Sequence, residues 1–529
     1  MKTKTAIIRL VVSALALVLV PFSAQAANLV IGARAEVEMD PHFFWLSSNT
    51  AYYRHLYGHL VATDEKAQTI PDLAESFRPI DDTTWEFKLR KGVRFHDGST
   101  FDAQDVIASF ERVRTIANSP SPYTGNLRGI KETIAVDPLT IRIKTIKPEP
   151  LLPGALTTIV IIPSEIAKTA KTADFKTAKA AIGTGPYKFV SYTPGDKLVL
   201  TRNDDYWGKR PYWDNVTFKF IKDDTARVAA LLGGDVDLID FVAPADVPRL
   251  ERDPKTVVHI GPSDRTIYLY LDVGRDVTPY AVDKKTGKPL AKNPLKDLRV
   301  RKAISMAIDR EAMTQKVMEK LATPASQTVP PGFGGYNPDI PVTPYDPEGA
   351  KALLAEAGYP DAFGLSVQCT SDRYVNDGKI CQAIGQMLAR VGFDMKVETM
   401  PKAVYFPKAT SRTGDSFSLF LLGWGSSASG EADTLWNLME TYDKEGGAGH
   451  YNLGNYSNPK LDALIKQATQ TLDAKKRHAI EAKAMAMAMA DVALIPLHYQ
   501  SVIVATRKGL DYKTRADEGT QAMEASPAE

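Results

Sequence analysis

An α/β fold is what this sequence predicts, and three observations predict it. Short runs alternate apolar and polar residues with period two. Longer stretches place apolar residues at helical spacing behind N-terminal capping residues. The two kinds of segment interleave along all 529 residues. A chain of this length exceeds what one hydrophobic core supports, roughly 250–300 residues, so two or three domains are expected.

The chain opens with Lys2, Lys4 and Arg9, continues through an apolar stretch from Leu10 to Phe22, and reaches Ala24-Gln25-Ala26. That layout predicts a secretory signal peptide over residues 1–26, cut after Ala26. The apolar run from Leu10 to Val20 is too short for a membrane span, which needs ~20 residues. No Cys stands near the cut to receive a lipid, so the expected location is the periplasm, free of an anchor. The signal carries three of the 65 Lys and Arg and none of the 63 Asp and Glu, leaving 62 basic against 63 acidic residues. That balance lacks the basic surplus of a nucleic-acid binder.

Strands are expected where Trp85, Phe87 and Leu89 alternate with Glu86, Lys88 and Arg90, ending at Lys91-Gly92. Two more follow, at Ile141 and Ile143, and at Val216, Phe218 and Phe220. A helix is expected from Asp297 to Met318, capped by Asp297, with Val300, Ala303, Ile304, Ala307 and Ile308 on one stripe. The Pro/Gly-rich stretch from Thr328 to Pro341 excludes a regular element, and Gly183-Thr184-Gly185-Pro186 is a second break. Asp346-Pro347 and Asn458-Pro459 each read as a cap followed by proline at the first helical position. Ala484 to Ala490 alternates Ala and Met, yet both are strong helix formers, so it is read as helix, its methionines as core filling rather than a metal site. The polar tail after Thr514 is expected to fray.

Cys369 and Cys381 lie twelve apart in a chain bound for an oxidising compartment, which favours a disulfide over two buried thiols. His55 and His59, at i and i+4, would share one helical face, but two ligands make no metal site and structural roles are favoured. No HExxH, GxSxG or GxxxxGK[ST] motif is present. A secreted α/β hydrolase therefore has only the export signal and the mixed elements in its favour.

Four stretches carry a family resemblance. They are PDLAESFRPIDDTTWEFKLRKGVRFHDGSTFDAQDVIASFERV from Pro71, IGTGPYKFVSYTPGDKLVLTRNDDYWGKRPYWDNVTFKFI from Ile182, LRVRKAISMAIDREAM with YDPEGAKALLAEAGYP, and LDALIKQATQTLDAKKRHAI leading into IPLHYQ. In this order they resemble the large solute-binding proteins of peptide, opine and nickel ABC importers, and they span nearly the whole mature chain. The resemblance implies a two-lobed periplasmic binding protein, a Venus flytrap with an extra domain in its first lobe. Lobe I would hold residues 28–58, 183–271 and 497–529, the inserted domain residues 59–182, and lobe II residues 272–495. It implies no enzyme and no cofactor, a monomer that closes by hinge motion over a small ligand, a short peptide above all, and an inner-membrane ABC permease with its ATPase subunits as partner. An opine, an oligosaccharide or a metal chelate are the other ligands it allows.

For ligand contacts the resemblance points to Arg373, with Tyr374 beside it, as the partner of a ligand carboxylate, a role that suits the guanidinium fork. It also points to the stretch after Gly423-Trp424, where relatives carry an acidic run for the ligand amine. Here Ser426 stands where that run would begin, and Glu431 or Asp433 is left to supply the acid. Trp424 is read as either a stacking surface for the ligand or core.

Overall fold

The three alternating runs form the strands Thr84–Leu89, Thr140–Thr145 and Asn215–Phe220 in the computed structural model, which describes residues 26–412, 416–425, 432–445 and 447–528. The segment expected to be an export signal, residues 1–26, lies outside the described residues apart from Ala26. Glu86, on the face that alternation assigns to solvent, is nevertheless buried, because Arg142 pairs with it from the neighbouring strand at 2.9 Å. These first two strands belong to an antiparallel four-stranded sheet in the order Ala74–Asp81, Thr84–Leu89, Thr140–Thr145, Ile130–Asp137, with its own core around Phe87, Phe101, Phe110 and Ile141.

The third strand belongs to a 12-stranded mixed sheet that runs through the molecule. Asn28–Ala33 lies parallel to both Asn215–Phe220 and Leu238–Ile239 at one end, and Gly364–Thr370 lies parallel to Asp394–Met400 at the other. Two long strands join the ends: Thr256–Leu271 and Ile495–Arg507, paired antiparallel with register shifts between Pro262 and Thr266 and between Ile267 and Tyr268. Separate apolar clusters form on the two sides of this crossing, one around Tyr52, Tyr187 and Phe218, the other around Ile304, Leu365 and Ile384. Two such layered cores bridged by continuous strands make a two-lobed α/β molecule.

The caps act as their chemistry dictates. Asp346 accepts a hydrogen bond from Gly349 N at the start of Pro347–Glu356, and Asn458 does the same for Lys460 N at the start of Pro459–Ala468. Ala474–Ala490 is one helix with Met485 fully buried. At Gly183 a side chain would bring Cβ to 2.1 Å from the Leu56 carbonyl, which explains glycine where the chain crosses back.

Two expectations are corrected. The helix begun at Asp297 ends at Met306. Asp309 then caps a new turn, and buried Arg310 donates to the carbonyls of Ser305 (3.0 Å) and Pro496 (2.7 Å), contacts that a straight helix would forgo. The tail after Thr514 does not fray: Ala525–Pro527 pairs with Leu510–Tyr512, and Arg515 is buried, donating to the Thr63 and Asp64 carbonyls. Its polar residues satisfy one another and the helix side of the molecule, so composition misled.

Candidate functional site

A cleft of about 1020 Å³ opens at the crossing strands, at the upper end of the size range of small-molecule pockets. One wall comes from the helix Ser47–Leu56 and from residues 120–129 and 146–158. The facing wall comes from Arg373, Gly423–Gly425, Asp433, Trp436 and Tyr451. Asp264, Arg265, Asp517, Gly519 and Gln521 complete it.

Arg373 is held by its backbone. The strand Gly364–Thr370 ends one residue before the loop, and the helix Asp377–Arg390 begins after it. The Asp377 carboxylate accepts from Thr370 Oγ1 (2.6 Å), Arg373 N (3.0 Å) and Tyr374 N (3.1 Å), drawing the loop tight. A disulfide between Cys369 and Cys381 brackets the same loop. Asn376 adopts a left-handed conformation (φ 55°) and donates to the Val317 carbonyl. The guanidinium of Arg373 lies 4.9 Å over the Tyr374 ring. Burial, and then the nearby Arg265 guanidinium, lower its pKa, and among the described residues no carboxylate comes within ion-pair distance of it. Tyr374 itself is core: it is 8% exposed, and its hydroxyl donates to the Gly423 carbonyl at 3.3 Å. It supports Arg373 from below instead of lining the cleft.

Trp424 lies at the end of the strand Leu419–Gly425 with its ring 5.1 Å from that of Tyr451, and its Nε1 donates to Asp433 Oδ1 at 3.1 Å. Asp433 is fully buried. Ser426 and Glu431 lie outside the described residues.

The wall that sequence reasoning missed is built of ion pairs. Arg265 donates to Glu518 through Nε (3.0 Å) and Nη2 (2.7 Å), and Ser263 and Gln500 donate to the same carboxylate. Arg54 and Arg515 both converge on Asp517. Burial alone would raise the Asp517 carboxyl, but Arg54 and Arg515 outweigh it and hold the group well below the usual range. The partners in these pairs are 253 residues apart or more for Arg265 and Arg54, so no local pattern announces them.

His55 and His59 do not share a helical face. The helix ends at Leu56 and His59 lies in the strand Gly58–His59. His55 has its Nδ1 against the Ala51 carbonyl (2.8 Å) and accepts from Ala522 N through Nε2 (3.0 Å). Among the described residues no group of three His, Cys, Asp or Glu could hold a metal, and no helix is long and apolar enough to cross a membrane.

Two lobes joined by crossing strands, with a polar cleft between them, define a solute-binding protein. The profile of the bacterial extracellular solute-binding proteins, family 5 Middle, matches residues 68–446, and the chain belongs to that family. It is 28% identical over 500 residues to the glutathione-binding protein GsiB of Shigella dysenteriae, covering 92% of each chain. Among solved structures it resembles the ABC transporter-associated periplasmic binding protein DppA of Helicobacter pylori in complex with the peptide STSA (26% identity, TM-score 0.76, 95% of this chain and 98% of that one). It also resembles AgaA of A. tumefaciens in complex with agropinic acid (25% identity, TM-score 0.73, 95% and 99%). The chain is thus a family 5 binding protein of the kind that serves ABC importers, and it is a binder, not an enzyme. The hydrolase alternative falls with that membership.

Proposed function

We propose that this protein captures short peptides by their carboxylate through Arg373 and delivers them to an inner-membrane ABC permease with its ATPase subunits. One observation carries the reading. Arg54 and Arg265 in the cleft, and Arg515 which shares Asp517 with Arg54, are each committed to an acid of the protein, whereas Arg373, in the same cleft and fixed by its loop, meets no carboxylate among the described residues. A half-buried guanidinium without an anion is costly unless a ligand supplies one. Trp424, steadied by Asp433 and Tyr451, offers an aromatic face beside it.

The relatives support a peptide: glutathione is a tripeptide, and the Helicobacter protein was solved with the peptide STSA. The agropinic acid complex supports a second reading, an opine bound by the same carboxylate contact. In this account the signal is cut after Ala26, the protein works as a monomer, and residues 28–58, 183–271 and 497–529 close as lobe I, with 59–182 inserted, against lobe II, 272–495. Calorimetric titration of the mature chain with glutathione, di- to pentapeptides and agropinic acid tests it. Heat from at least one peptide is expected. Silence from all of them, with heat from agropinic acid, would transfer the assignment to the opine.

A further inference from the structure

Asp264 sits where the strand Thr256–Leu271 loses register with Ile495–Arg507, between Pro262 and Thr266. The break frees residues 263–265 from the ladder, and the C-terminal segment takes them over. Asp264 N donates to the Ala516 carbonyl at 2.9 Å, and Arg265 N donates to Ser263 Oγ at 3.0 Å. The backbone is therefore fixed, and the Asp264 side chain lines the cleft.

That side chain is 6% exposed, yet among the described residues it has neither a hydrogen-bond donor nor an ion-pair partner. The neighbouring Arg265 is committed to Glu518, and Arg54 and Arg515 are committed to Asp517. Burial, and then the neighbouring Glu518, push its carboxyl well above the usual range against the pull of the Arg265 guanidinium, with Asp517 and Asp433 adding to the rise. A cleft-lining carboxyl whose neighbouring guanidinium is already committed to another acid lacks a positive charge of its own. Gly425, paired with the next residue Arg265 on the neighbouring strand, leaves room for this carboxylate. A methyl group at Gly425 would stand 2.8 Å from Asp264 Oδ1.

We propose that Asp264 is the carboxylate that receives the ammonium group of the bound ligand, from the crossing strand instead of the loop after Trp424. The assignment rests on peptide capture in this cleft and names the group that reads the other end of the zwitterion. It gives the site a cation for the ligand's carboxylate at Arg373 and an anion for its amine at Asp264, on separate elements.

Calorimetry on the full mature chain tests it, with glutathione and tetraalanine as probes, each with its N-acetylated form. Acetylation removes the ammonium and leaves the carboxylate untouched. The wild type is expected to prefer the free amine by about 30-fold or more, and Asp264→Asn to bring the two forms to equal affinity without lowering the ligand-free melting temperature. Gly425→Ala, which displaces the carboxylate without removing it, should reduce the preference in the same direction and serves if the Asn variant folds poorly. Arg373→Ala should weaken both forms alike. Full preference for the free amine in Asp264→Asn overturns the assignment, as does a wild type indifferent to acetylation, and either result leaves peptide capture standing. No binding of any probe by the wild type overturns both.

Discussion

Two parts of the molecule around the cleft hold partly or wholly buried arginines and use them in opposite ways. Around the C-terminal segment, Arg265, Arg54 and Arg515 each face an acid of the protein, and those acids collect further donors from Ser263, Gln500 and backbone. On the wall after the strand Gly364–Thr370, Arg373 is held as firmly by Asp377 and the disulfide, but its guanidinium is left over a tyrosine ring. Burial alone therefore does not mark a binding residue. What separates the two parts is whether the protein has already answered the charge.

The largest effect is expected where an answered charge is broken. Arg265→Ala leaves Glu518 buried without its cation and should destabilise the ligand-free protein by about 3–5 kcal/mol, read from urea unfolding. If stability is unchanged, the two parts do not differ in the way described. Arg373→Ala should do the converse, weakening peptide binding by about 2–5 kcal/mol in calorimetry with little change in the unfolding midpoint. A large loss of stability with intact affinity would make Arg373 one more structural arginine. Converting Cys369 and Cys381 together to Ser releases a short loop and should lower stability by about 2–4 kcal/mol, while loosening the presentation of Arg373 and so weakening binding as well. Reducing and non-reducing melts of the parent should reproduce the stability part.

The smallest effect lies on the acid side. The Asp517 carboxyl is held low in the folded state, so its contribution to stability is complete above the ordinary carboxylate value of about 4 and is lost as the pH falls below that toward the folded value. Melting temperatures of the ligand-free protein between pH 7 and pH 3 should show this loss, and Asp517→Asn should flatten it. Asp72 and Asp240, pushed up to about 6 by burial, act in reverse, favouring the fold as the pH drops from 7 toward 4.

Local chemistry made much of the fold legible. Period-two strands, Asp or Asn before Pro, and helix-forming Ala and Met all read correctly because each depends on residues a few positions apart. The break at Ala307 did not, because it depends on Arg310 reaching Pro496 across the sheet. Nor did the ordered tail, whose Arg515 and Asp517 bind residues more than 450 positions earlier. The candidate site divides the same way. Arg373, Trp424 and Asp433 were reachable through resemblance, and all three line the cleft, while Tyr374 is buried beside Arg373. Asp264 carried no signal, since an aspartate in Ser263-Asp264-Arg265 gains meaning only from the strand break and the segment that folds over it.

The two long strands that cross between the lobes have a mechanical corollary. They are stitched to each other by backbone hydrogen bonds on either side of the break, so the halves are coupled by an elastic ribbon instead of a loose tether. A paired ribbon restricts how far one lobe can twist or slide against the other, so less orientational freedom is left to surrender when cargo arrives.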